Sequence, residues 1–225
     1  MLTKNNNQMK KNLLSISGMC IAMLCVNLKL VAQQTDSVKA KAEYGFQTDD
    51  AKILAKLDHI DYYKVSFAPK ILKGQPFLFF TTKEYHKGIV VNRDTLMPQN
   101  YASQYLKFKN IDSNTTISLT TKPRGDSVTF LYHIMGSSIS RTYKRLNNDS
   151  YSLRDGLVTN EAFKAIPVNK TLPLFAYSLP YEDPKQPGYM FYCAITANGV
   201  PPEKWWETYK IPHFIIVEMK IVSNK

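Results

Sequence analysis

Histidine, cysteine and carboxylate are the side chains best able to do chemistry, and their spacing in this chain matches no common catalytic or metal site. The four histidines are His59, His86, His133 and His213. No two stand at an HxH or HxxxH spacing, which would set both rings on one face to grip an ion. No metal and no cofactor is therefore expected. His133 follows Tyr132 in an alternating segment. It is expected as a half-buried, satisfied histidine, the alternative being a place in a pocket wall. The other three stand at element ends and are expected in solvent. No GxSxG elbow, P-loop or GxGxxG is present. Glu182-Asp183 and Asp49-Asp50 are the adjacent acids, and both sit in loop or cap contexts. Glycosidase carboxylates need not be neighbours in sequence, so a hydrolase assembled from distant residues stays open as an alternative. Arg124-Gly125-Asp126 spells an adhesion tripeptide, but after Pro123 it reads as an ordinary turn.

The aromatic residues are the stronger lead. Trp205 and Trp206 stand beside Tyr209 in a proline-led segment, and Tyr181 flanks a Pro-rich loop. Rigid rings with polar edges suit glycans or peptides, because they give contact area at little entropic cost. Trp205, Trp206, Tyr209 and Tyr181 are thus the candidate ligand platform. Core packing is the competing reading. Adjacent helix positions point roughly 100° apart, so both indoles cannot face one core, and the platform requires one of them substantially exposed. A second candidate is a small anion-binding patch of Arg141, Lys144 and Arg145, with Tyr143 between them. A plain exposed strand face is its alternative.

The formal charge is +11, yet four lysines, Lys4, Lys10, Lys11 and Lys29, fall in residues 1–32 with no acid. The remainder carries +7, scattered among acids. Without a continuous basic face or a known module, nucleic acid is not an expected partner. Residues 13–26 are almost wholly apolar behind the basic start, and Ala32 offers a small residue for cleavage before Gln33. That is the secretory pattern. An uncleaved anchor would need about 20 apolar residues, and Asn27 and Lys29 interrupt the run. Lipidation at Cys20 or Cys25 is a third outcome, disfavoured by Met19 and Leu24 before them. Membrane contact is expected only through such a leader. After cleavage only Cys193 remains, in an apolar run, and is expected as a buried inert thiol.

These residues need elements to hold them. Residues 1–32 are expected as a signal peptide, 33–47 as a flexible lead-in and 48–225 as a single globular domain. Ala51, Leu54, Ala55 and Leu57 suggest a short helix near residues 49–58. Strands are predicted at 62–67, 77–81 with a hairpin partner at 88–92, 115–120, 127–134, 139–146, 171–179 and 189–197. Residues 161–166 read as one or two helical turns. A second helix is predicted at 201–210, and a terminal strand at 213–222 inside a sheet, since it is apolar on both faces. The fold class is α+β, a mainly antiparallel β-sheet with short helices near residues 49–58 and 201–210. Among functions, an exported, non-catalytic binding module for a glycan or peptide leads. A secreted hydrolase and a structural component of a surface assembly are the alternatives.

Overall fold

The computed structural model describes residues 37–71, 76–107, 110–111, 115–146, 148–157, 163–183, 185–192 and 200–223. The leader, its cleavage point and Cys193 lie outside the described residues. In chain order the strands are β1 (Ser37–Tyr44), β2 (Asp61–Phe67), β3 (Lys70–Ile71), β4 (Phe77–His86), β5 (Ile89–Thr95) and β6 (Asn110–Ile111). Then follow β7 (Thr116–Arg124), β8 (Ser127–Ile134), β9 (Ser137–Lys144), β10 (Ser152–Asp155) and β11 (Lys164–Pro167). The last are β12 (Thr171–Ser178), β13 (Tyr181–Glu182), β14 (Met190–Phe191) and β15 (His213–Val222). The helices are α1 (Asp49–Leu57), α2 (Gln99–Tyr105) and α3 (Trp205–Tyr209), the last led in by a 3-10 turn over Pro202–Lys204. No described helix is long and apolar enough to cross a membrane.

Two antiparallel sheets share one core. The first has strand order β11-β1-β2-β7-β8-β9 and the second β10-β12-β15-β4-β5. The pattern in β8 shows how sequence sets the layers. Val128, Phe130, Tyr132 and Ile134 are buried, while Leu131 and His133 between them are exposed. Phe130 meets Tyr143 of β9 at 5.0 Å and Tyr177 of β12 at 5.6 Å, both edge-on. Apolar alternation on one sheet thus finds its partner on the other. Strand β15 lies between β12 and β4. Its Ile215, Val217, Met219 and Ile221 enter this shared core, while Phe214 and Ile216 face the other way, into a second cluster with Trp205 and Tyr209. A strand covered on both faces must be apolar throughout, as predicted for 213–222.

Three local expectations are corrected. The lead-in is not flexible from residue 37 onward: β1 pairs with β2 and β11, and Val38 and Ala40 are fully buried. The compact unit therefore begins at Ser37 rather than near 48. Residues 164–167 form strand β11 against β1, because pairing with an otherwise open edge outweighs the helical preference of Ala165 and its neighbours. Of the central strand placed at 189–197, only β14 is seen, pairing β13; residues 193–199 lie outside the described residues.

Helix α1 forms where expected, with Asp49 and Asp50 in its first turn and Lys56 in its last, both favourable to the helix dipole. Its buried side is narrow. Ala55 is buried, whereas Ile53, Leu54 and Leu57 are exposed. The apolar stripe expected from Ala51, Leu54, Ala55 and Leu57 thus buries Ala55 alone, with Leu54 and Leu57 turned to solvent.

Candidate functional site

A cleft of about 360 Å³ opens beside α1. Its walls come from the end of β1, from α1, from the start of β2, and from the segment between β9 and β10. The volume is at the small end of the roughly 300–1,000 Å³ usual for small-ligand sites. Five aromatic rings and six charged or imidazole side chains share the lining. Tyr44, Phe46 and Tyr62 lie toward the mouth, with Phe46 and Tyr62 stacked at 4.7 Å. Tyr151 and Tyr177 form the floor, stacked at 5.0 Å. The polar groups are Lys52, Lys56 and His59 from α1 and the turn after it, Asp61 from β2, and Arg145 with Asp149 from the segment after β9.

Several of these are fixed by their partners. Asp61 accepts the Tyr44 hydroxyl at 2.9 Å and the Leu153 backbone N–H at 2.8 Å. Burial, then the Asp61 charge, pushes the Tyr44 phenol up to about 12. Arg145 donates its Nε–H to Gly125 O at 3.0 Å and an Nη1–H to Asn148 O. The guanidinium also lies 5.8 Å from the Tyr151 ring centre. The side chain is 3% exposed.

Behind the floor runs a buried chain of polar groups. Tyr151 Oη and His213 Nδ1 are 2.7 Å apart, and His213 Nε2 is 3.2 Å from Glu84 Oε1. Leu146 donates its backbone N–H to the same phenol oxygen at 3.3 Å. The phenol proton then points to Nδ1, which leaves Nε2–H to donate to the carboxylate; this tautomer is assigned from the network. Sequence reasoning placed His213 in solvent, and the structure overturns that. It begins a strand, yet β15 is paired on both sides, so even its first residue is covered. No signal in the sequence marks Tyr151, Glu84 and His213 as neighbours.

The predicted platform does not form as an open surface. Trp205 is fully buried, its ring 4.6 Å from Phe214 and its Nε1–H donated to Val200 O at 3.0 Å. Tyr209 and Tyr181 are also buried, 4.4 Å apart, in the cluster that covers the outer face of β15. Trp206 alone is partly open. It lies between Lys87 and Lys210, each ammonium 5.8 Å from the ring, and against the β4–β5 turn. Gly88 makes that approach possible: a Cβ there would come within 3.0 Å of Glu203 O and 3.4 Å of Trp206 Cβ. Three of the four, Trp205, Tyr209 and Tyr181, do converge, but as part of the second core of the molecule, with Trp206 outside it.

The basic patch is dispersed too. Strand alternation sets Arg141, Tyr143 and Arg145 on one face, where Tyr143 and Arg145 are buried and Arg141 is partly exposed, and turns Lys144 outward. Arg141 is spent on Asp94 at 3.3 Å and on Leu96 O at 2.8 Å. Arg145 joins the cleft instead. His133 stands on the outer face of β8 beside Ser138 Oγ at 3.0 Å, away from the cleft. Among the described residues no group of three His, Cys, Asp or Glu could hold a metal ion.

Fold and site together define a two-sheet antiparallel protein with a lateral aromatic cleft. Comparison with family models, curated proteins and solved structures finds no match for this chain.

Proposed function

We propose that this is an exported binding module that takes a glycan or peptide ligand in the cleft beside α1, without transforming it. The observation that carries the reading is the lining itself. Five aromatic rings surround a handful of oriented polar groups, which is the composition of a recognition site. Export rests on the basic start, the apolar run at 13–26 and Ala32. The test is a glycan and peptide array probed with the purified protein and with Tyr62→Ala. Tyr62 is only partly buried, so its loss should spare the fold while weakening retained ligands by about tenfold or more. Mass analysis of secreted material should find Gln33 as the first residue. An array with no retained ligand, or binding indifferent to Tyr62→Ala, refutes the cleft.

A further inference from the structure

We propose that the ligand is an acidic glycan and that Arg145 anchors its carboxylate; the inference rests on reading the cleft as the ligand site. A buried charge normally has a buried partner of opposite sign, because desolvation is costly. Arg145 departs from this. Its side chain is 3% exposed, and two of its N–H groups go to neutral carbonyls, on Gly125 and Asn148. Its acidic neighbour, Asp149, stands 3.6 Å away with a side chain 84% exposed. A solvated carboxylate at that distance neutralises little. The guanidinium is therefore held in place at a cleft wall mainly by neutral groups, the Tyr177 hydroxyl among them, and only the exposed Asp149 carboxylate offsets its charge. A planar fork of donors suits a carboxylate, and Asp149 marks where one approaches. Lys52 and Lys56 add positive charge to the lining, where the Asp61 carboxylate is tied to the Tyr44 hydroxyl.

The rings favour a sugar over an extended peptide. Flat faces such as Tyr62 and Phe46 suit a pyranose. A strand-like peptide needs an unpaired sheet edge, and β2, which brings Asp61 and Tyr62 to the cleft, is paired with β1 on one side and β7 on the other.

The experiment is calorimetric titration of the full chain with tri-galacturonate, with its neutral methyl ester, and with an acidic hexapeptide. The acid should bind at least tenfold more tightly than the ester, with affinity falling as salt rises. Arg145→Met should remove that tenfold preference. Because Arg145 also ties two backbone carbonyls, Asp149→Asn provides a second arm on an exposed residue. It removes the competing carboxylate and should tighten acid binding about threefold. Equal binding of acid and ester, with both lost in Tyr62→Ala, would keep the cleft and overturn the anchor. Preference for the peptide would overturn the glycan assignment. Binding of none of the three would overturn the proposal.

Discussion

Trp205→Ala should cost about 3–5 kcal/mol, read as a lowered urea midpoint with little change in slope. The indole is fully buried against Phe214 and its N–H is bound to Val200 O. Truncation both opens a cavity and strips the partly buried Val200 carbonyl of its donor. Trp206→Ala is the matched control. That ring is partly open and flanked by two lysines, so its loss should stay within about 1 kcal/mol. The contrast separates the two neighbouring indoles, which sequence reasoning treated as one platform. Similar costs for both variants would show that α3 does not seat Trp205 in the second core.

His213→Ala should cost about 2–4 kcal/mol. It leaves the Tyr151 hydroxyl and the Glu84 carboxylate without the partner between them, and stranded buried polar groups are costly. Glu84→Gln keeps an acceptor for the Nε2–H and should cost about 1 kcal/mol or less. The same region sets an alkaline limit. Burial is the chief cause that pushes the Tyr151 phenol up to about 12, against the opposing pull of the Leu146 N–H and the Arg145 charge. A phenol whose folded pKa is raised stabilises the fold fully below its unfolded value of about 10. That contribution is lost as pH rises through about 12. Tyr44 titrates in the same direction and range. Tyrosinate absorbance should therefore rise together with loss of structure between these pH values. Ionisation of Tyr151 near pH 10 with the fold intact would contradict its burial.

The parts of the fold legible in the sequence were those whose pattern depends on one strand alone. β7, β8 and β15 declare themselves through alternation or through apolar residues on both faces. β1 escaped because its core contacts are Val38 and the small Ala40, set among lysines and a glutamate. β11 escaped because its residues favour a helix in isolation and become a strand only against β1. The site was less legible still. Arg145 was noticed, but as part of a surface patch with Lys144. The alternation that puts Arg141, Tyr143 and Arg145 on one face was visible; that this face points inward depends on the second sheet. Tyr44, Phe46 and Tyr62 are brought to one mouth by the β1–β2 pairing, in which Tyr44 stands opposite Tyr63. Such neighbours belong to tertiary structure and leave no local mark.

Amide-shift mapping by NMR against tri-galacturonate addresses the central claim most directly. Perturbations should centre on Phe46, Tyr62, Arg145 and Asp149, with Trp206 and its surroundings unmoved. Shifts confined to the Trp206 face, or none at saturating saccharide, would contradict the assignment of the cleft as the working surface of this protein.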